Sequence, residues 1–234
     1  MTSLKIYSEK DILEFVTKRK GEKKFGEKVT FITESANLDV ELVDSKSKYV
    51  LFGINESIGV KANNGNQGTE TAWNSCLKSL LNTQNSSLNK GKKVLVLGCL
   101  EFPKLMEAAK QLSTNNPEEL KKLYDLVNEI DEEVTNLIYK IVSAGKIPIV
   151  IGGGHNNAYG NIKGTSLALN KPVNVINFDA HTDFRALEGR HSGNGFSYAF
   201  HEGFLNRYFI FGIHENYSSK KVLEELSAHN KHIN

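Results

Sequence analysis

Two short segments of the chain carry side chains able to bind a divalent metal ion. In the first, Val175–Asp183 (VINFDAHTD), the residues Asp179, His181 and Asp183 alternate directly after an apolar run. Side chains two residues apart on an extended chain point to the same side, so two carboxylates would flank an imidazole. That grouping is costly unless a cation lies between the carboxylates. A merely polar loop is the alternative interpretation.

The donor types indicate which metal such a site would take. Oxygen and imidazole ligands favour Mn²⁺ or a similar ion, whereas structural zinc sites more often recruit cysteine. The two cysteines, Cys76 and Cys99, lie far from this segment in sequence, and their number excludes a disulfide framework.

The second segment, Ile149–Asn156 (IVIGGGHN), places His155 after three glycines, which let the backbone turn sharply. It lacks the GxxxxGK[ST] pattern of a phosphate loop. Taken alone, it is a weak signal, because a lone histidine after glycines is usually a structural or solvated loop residue. If the two segments end neighbouring strands, His155 joins Asp179, His181 and Asp183 at one centre. Asp179 can then bridge two ions, and closely spaced ions hold and deprotonate a water for attack on an electrophilic carbon.

The elements that must position these side chains follow from hydrophobic patterning. Five continuous apolar runs are typical of strands buried on both faces of a parallel sheet: Tyr49–Ile54, Val94–Leu100, Ile147–Ile151, Val173–Phe178 and Tyr208–Ile213. Helical periodicity covers Thr69–Leu81 and Pro117–Ala144, and Gly145 stands at the C′ position of the second helix. This alternation predicts an α/β fold with a mainly parallel sheet, in which ligands bind beyond the carboxyl ends of the strands.

Composition restricts the class of protein. The 234 residues are 39% hydrophobic with a net charge of +2, which excludes a disordered chain. We expect a single domain over 1–234, with an N-terminal helix and connector over 1–45. The 29 basic and 27 acidic residues nearly balance, so nucleic acid is not an expected partner. Neither a signal peptide nor a run long enough to cross a bilayer is present, so we expect a cytoplasmic protein without membrane contact.

The pair GGGH and DAHTD, together with Gly53–Trp73, closely resembles the ureohydrolase superfamily of arginases, agmatinases and formimidoylglutamases. The run Arg185–Ala199 is most similar to the formimidoylglutamase branch, and the resemblance covers about residues 48–215. It implies a three-layer α/β/α sandwich with two manganese ions that hydrolyses a C–N bond of a guanidino or formimino group. The favoured reaction converts N-formimidoyl-glutamate, a small-molecule substrate, to glutamate and formamide in histidine degradation. The resemblance also suggests a homo-oligomer.

The resemblance assigns metal roles residue by residue. His155 would bind one ion and Asp179 would bridge both, while His181 would bind the second ion. Asp183 would bind the first ion and, as the catalytic residue, accept a hydrogen bond from the attacking nucleophile.

Substrate contacts are implied at Ser192 and Asn194, which correspond to the arginase segment that touches the amino-acid end of the substrate. Arginases carry a further histidine at the position of Phe196, so arginase activity is disfavoured and a formimino substrate fits better. Arg185 replaces an asparagine of arginases, and we hypothesise that its planar guanidinium holds a substrate carboxylate. A salt bridge to Glu188 is the alternative.

The family completes its metal site with two more aspartates in an SxDxDxxDP-like strand end, yet this chain has no aspartate after Asp183. We therefore expect a C-terminally truncated domain that binds metal weakly, holds its second ion poorly or not at all, and has little or no activity. The alternatives are another ureohydrolase acting on agmatine or a guanidino acid, and a non-catalytic metal-binding or oligomerising relative. His191 is expected to be a solvated loop histidine or to titrate beside the substrate.

Overall fold

The structure, a computed structural model, describes residues 3–32, 37–229 and 231–233. The chain forms two compact units. Unit 1 consists of the described residues within Met1–Ser57, Gly68–Pro103 and Lys140–Gly153, and unit 2 of those within Ile58–Gln67, Lys104–Tyr139 and Gly154–Asn234. A single domain over 1–234 stays a prediction, and parts of it, including 33–36 of the expected connector, lie outside the described residues.

Unit 1 is built on a four-stranded sheet. Strands β2 (Tyr49–Asn55), β3 (Val94–Glu101) and β4 (Ile147–Ile151) are parallel, and β1 (Leu4–Ile6) adds antiparallel to β3, giving the order β1-β3-β2-β4. The continuous apolar sequences of β2 and β3 are explained by burial along nearly their whole length. The short strand β1 lies in the stretch for which only a helix and connector were expected.

Three helices belong to unit 1, namely α1 (Glu9–Leu13), α2 (Leu38–Asp44) and α4 (Ala72–Leu80), the last preceded by a 3-10 turn at Thr69–Thr71. Buried side chains of α1 and α4 pack with those of the sheet. Trp73 of α4 is fully buried, and a Cβ at Gly53 of β2 would overlap its ring. The helix predicted over Thr69–Leu81 is thus confirmed, and glycine in β2 makes room for its largest side chain.

Unit 2 contains two parallel strands, β5 (Val173–Phe178) and β6 (Leu205–Phe211). Its helices are α3 (Ile58–Ala62), α5 (Pro103–Lys110, whose first residue belongs to unit 1), α6 (Pro117–Ser143, whose last residues belong to unit 1), α7 (Asn157–Leu169), α8 (Gly195–His201) and α9 (Lys220–Ala228). The last strand starts and ends earlier than its predicted range because Leu205 pairs with Val173, and Gly212 leaves the extended region with φ +95°.

Burial of β5 and β6 differs from the expectation of strands covered on both faces. Tyr208 and Ile210 pack in the core with α7 and α8, whereas Phe178, Phe209 and Phe211 are largely exposed in the described chain. Side chains alternate along a strand, so one apolar face meets the helices and the other does not. The α/β class with mainly parallel pairing is confirmed. Within the described ranges, no helix is both long and apolar enough to span a bilayer.

Replacing Gly145 with alanine is expected to lower the free energy of unfolding by roughly 1 kcal/mol. Gly145 follows α6 with a φ of +73°, and an added Cβ would meet nothing within 4 Å, so backbone strain is the whole cost. Asparagine tolerates this region and should lose less. Urea unfolding of Gly145→Ala and Gly145→Asn measures the difference, and equal losses in the two variants would contradict the prediction.

Candidate metal and substrate site

The segment DAHTD begins where β5 ends. The backbone N–H of Asp179 still donates to Phe211 O (3.0 Å), but the residues that follow form a loop rather than a strand. Asp183 adopts a φ of +42°, which is uncommon for a residue other than glycine. We expected the three side chains to alternate as they do on an extended strand. That expectation is wrong, because this segment is a loop and the positive φ of Asp183 sets the direction of its side chain.

His155 reaches the same place from the glycine turn after β4. Gly152 and Gly153 have φ values of +88° and +69°, so the backbone leaves the strand in a conformation that side-chain-bearing residues rarely adopt. The described hydrogen bonds place β4 and β5 in different sheets, so the two segments do not end hydrogen-bonded neighbours. His155, Asp179 and Asp183 nevertheless converge within unit 2.

The convergence is close. His155 Nδ1 lies 3.2 Å from Asp179 Oδ2 and makes a short contact with Asp183 Oδ2. The three residues each offer one donor atom, and these atoms lie within 4.8 Å of one another. Among the residues that the structure describes, they form the one such group of histidine, cysteine or acidic donors. One imidazole and two carboxylates suit a manganese-like ion.

His181 contacts the other side of Asp179. Its ring Nδ1 and its backbone N–H lie 3.2 and 2.9 Å from Asp179 Oδ1, while Asp179 Oδ2 faces His155. The Asp179 carboxylate thus has one oxygen toward each histidine. This arrangement is compatible with the bridging role that the sequence resemblance implies for Asp179, and that role stays a prediction.

Electrostatics at this cluster favour a positive charge. Partial burial acts to lower the pKa of His155, but contacts with Asp183 and Asp179 outweigh it, and the pKa is raised. Burial acts to raise the pKa of Asp179, yet hydrogen bonds from His181 and the nearby His155 ring hold it below its ordinary value. The chemistry of this donor set therefore fits a cation, whether a proton on the imidazole or a metal ion.

A cavity of about 500 Å³ opens beside the cluster in unit 2. Its lining includes His181, Asp183, Arg185, Glu188, Tyr217 and Lys221. The Tyr217 ring lies 5.0 Å from that of His181, centroid to centroid. The cavity therefore joins candidate metal ligands to charged side chains able to recognise an ionic substrate.

Arg185 faces this cavity with its side chain half exposed. Its Nη2 donates to Glu188 Oε1 (2.7 Å), so the salt bridge posed as an alternative is present, and its Nη1 donates to Asn63 Oδ1 (2.5 Å). Asn63 lies 122 residues earlier in the chain and carries no sequence signal of this role. The two contacts orient the guanidinium at the cavity, and a substrate carboxylate stays a prediction.

The segment assigned to substrate contact is held by internal hydrogen bonds. Ser192 accepts from the side-chain amide of Asn63 (3.1 Å). Asn194 is fully buried; its Oδ1 accepts from Arg190 and from the His191 N–H, and its amide donates to two loop carbonyls. A contact between the Asn194 side chain and substrate would require these bonds to break. In this structure the side chain organises the loop, and a substrate contact of Asn194 stays a prediction.

Phe196 also has a packing role. Its ring stacks on Tyr208 (4.5 Å between centroids) and meets the edge of His155 (5.2 Å), and it is almost completely buried. Phe196, at the position where arginases carry a histidine, therefore packs against the ring of the candidate metal ligand His155.

His191 is not the solvated loop histidine expected from the sequence. It is 1% exposed, its Nδ1 accepts the N–H of Gly193 (3.1 Å), and its Nε2 lies 3.1 Å from Glu188 Oε1. Tyr124 of α6 covers the ring at 5.9 Å. Burial, which outweighs the attraction of Glu188, lowers the pKa of His191 to about 4, and nearby Arg185 and Arg190 act in the same direction.

Acidification is therefore expected to destabilise the chain through His191. Its folded pKa lies below the ordinary value near 6.5, so its contribution to stability is present above pH 6.5 and is lost as the pH falls toward 4. Each pKa unit corresponds to about 1.4 kcal/mol. Urea unfolding at pH 7 and pH 5 should show a smaller loss for His191→Asn than for the parent. An equal loss in both, or the same benefit from His201→Asn at an exposed histidine, would contradict this assignment.

Comparisons with known proteins place the chain among related sequences and folds. A model of the arginase family matches residues 47–233. A curated formimidoylglutamase from Streptococcus pyogenes serotype M3 is 31% identical over 180 residues, which are 72% of this chain and 47% of that protein. The chain thus spans about half the length of this relative.

Two solved structures share the fold. The formimidoylglutamase of Bacillus subtilis superposes with a TM-score of 0.67 at 17% identity, over 93% of this chain and 61% of that one. A formiminoglutamase of Trypanosoma cruzi, solved with Mn²⁺, superposes with a TM-score of 0.59 at 22% identity, over 83% and 63%.

Proposed function

Since the chain belongs to the arginase family, we propose that it is a manganese-dependent C–N hydrolase that acts on the formimino group of N-formimidoyl-glutamate. The observation that carries this proposal is the convergence of His155, Asp179 and Asp183 beside a cavity that Arg185 borders. The formimidoylglutamase relative and the fold neighbour solved with Mn²⁺ support the choice of substrate and metal.

In this proposal, His155, Asp179 and Asp183 hold one ion, and His181 offers a further donor on the far side of Asp179. A divalent ion there lowers the pKa of water and so provides a nucleophile at neutral pH.

The chain's own groups bind the substrate and move protons. Arg185 holds a substrate carboxylate, which orients the formimino carbon toward the cluster. The Asp183 carboxylate accepts a proton from water and returns it to the departing nitrogen. The water oxygen bonds to the carbon of the protonated formimino group as its C=N π pair moves to the imino nitrogen. The bond from that carbon to the glutamate nitrogen then breaks as the C=O bond forms, the hydroxyl proton passes to the released amine, and the products are formamide and glutamate.

The test is a panel of substrates with the manganese-loaded chain. Binding is measured by calorimetry and turnover by release of formamide or urea, with N-formimidoyl-glutamate, agmatine and a guanidino acid. Preferential binding and cleavage of N-formimidoyl-glutamate supports the proposal. Preference for agmatine or the guanidino acid identifies another ureohydrolase. Because little turnover is expected of this chain, the binding measurement decides: manganese binding with no preference among the three compounds overturns the proposal in favour of a non-catalytic metal-binding relative.

A further inference from the structure

A buried ion pair lies behind the substrate segment of unit 2. Arg190 and Asp131 of α6 have exposed fractions of only 3% each, with Arg190 Nε 2.8 Å from Asp131 Oδ2 and Nη2 3.4 Å from Oδ1. Burying such a pair costs desolvation that its attraction often does not exceed, so it is weak evidence of stabilisation. The other hydrogen bonds of Arg190 indicate a role for this pair other than stabilisation.

The remaining donors of Arg190 bind two separate parts of the chain. Nη2 donates to the carbonyl oxygen of Asn156 (3.0 Å), the residue directly after His155. Nη1 donates to Oδ1 of Asn194 (2.5 Å) in the substrate segment. The rings of Tyr159 and Tyr198 lie 4.8 and 4.9 Å from the guanidinium carbon, which limits its position further. The planar guanidinium thus links the turn that carries a candidate metal ligand to the loop that borders the cavity.

Asn194 connects the Arg190 guanidinium to the rest of the substrate segment through hydrogen bonds. Its amide donates to the carbonyls of Gly189 (2.7 Å) and Ala186 (3.3 Å), on either side of Glu188, the partner of Arg185. Lysine could replace the charge of Arg190, but its single ammonium lacks the fork that satisfies Asp131, Asn156 and Asn194 together.

We propose that Arg190, held by Asp131, is a positioning residue that sets the metal-ligand turn at His155 and the substrate segment in one fixed arrangement. The inference rests on the proposed function for its consequence, since it assigns His155 to metal and the loop to substrate. Arg190 holds both the turn and the loop but offers no ligand atom to the metal and does not line the cavity, so its loss should weaken manganese and substrate binding together.

The first measurement uses manganese alone, followed by electron paramagnetic resonance, with no turnover required. Arg190→Ala is expected to lower manganese affinity about 10- to 100-fold, the usual cost of losing a group that orients a ligand. Asp131→Asn and Arg190→Lys should fall in between, and millimolar guanidinium should restore part of the affinity of Arg190→Ala. Arg207→Ala, at an exposed arginine of β6, should match the parent, and Ile162→Ala, in the core, controls for lost stability.

The second measurement is hydrogen exchange on the metal-free chain. In Arg190→Ala and Asp131→Asn, peptides covering 154–158 and 188–196 should lose protection together, while Ile162→Ala should not couple these two segments. Unchanged protection in either segment, or manganese affinity within twofold of the parent in folded Arg190→Ala, would overturn the proposal. Neither readout depends on the formimino reaction, so failure of the proposed function is distinguishable from failure of this one.

Discussion

Replacing Asp183 with asparagine is expected to weaken manganese binding by more than about 100-fold. Groups that only orient metal ligands account for about 10- to 100-fold, and Asp183 would be a direct ligand in contact with His155. Asparagine keeps the shape of the side chain and tolerates the positive φ of this position, so the fold should survive. Titration of manganese into the purified variant and parent measures the effect.

Asp125→Asn is the matched control for this prediction. Asp125 is an exposed aspartate of α6 in the same unit, so its replacement makes the same change of charge away from the cluster. Its manganese affinity should equal that of the parent. If Asp183→Asn binds manganese within threefold of the parent, Asp183 is not a ligand; if both variants lose affinity equally, net charge and not coordination is responsible.

Replacing Arg185 with alanine is expected to raise the dissociation constant for N-formimidoyl-glutamate about 10- to 100-fold. A hydrogen bond to a charged group contributes about 1.5–3 kcal/mol, and about 1.4 kcal/mol corresponds to a tenfold change in a dissociation constant. The Arg185 side chain is half exposed, so we expect the two bonds of its guanidinium to contribute about as much together as one such bond in a buried site. Arg185→Lys should lie between the parent and alanine because it keeps the charge without the fork. Manganese affinity should stay unchanged, since Arg185 offers the metal no ligand atom.

Substrate choice provides the control for Arg185. Agmatine has no carboxylate, so its binding should not weaken in Arg185→Ala. Arg207→Ala, at an exposed arginine of β6, should leave the binding of both compounds unchanged. An unchanged KM or dissociation constant for N-formimidoyl-glutamate in Arg185→Ala would restrict Arg185 to its salt bridge with Glu188.

Local features of the chain were predictable because their causes are local. Hydrophobic periodicity located α4 and α6. Gly145 marked the end of α6 because that position needs a positive φ, which glycine adopts without strain. The apolar runs located five of the six described strands. The sixth, β1, is three residues long and owes its conformation to pairing with β3, which no local pattern of that length reveals.

Asp131 is a residue that the sequence marks as unusual without identifying the side chain that pairs with it. It falls on the apolar face of α6 between Val127 and Val134, where a charged residue is unusual. Sequence patterning identifies such an exception but does not show that Arg190, 59 residues later, neutralises it. The burial of His191 escaped prediction for the same reason, because Tyr124 of α6 covers its ring.

The sequence by itself determined the α/β class, the resemblance to the ureohydrolases and the residue types of the candidate metal site, since these depend on composition and short spacing. The tertiary structure alone decided how those residues meet. Asp183 turns through a positive φ to reach His155, Asn63 and Glu188 orient Arg185, and Arg190 joins the loop to the turn. These contacts join residues distant in the chain, and they form only when packing repays the entropy of bringing the segments together.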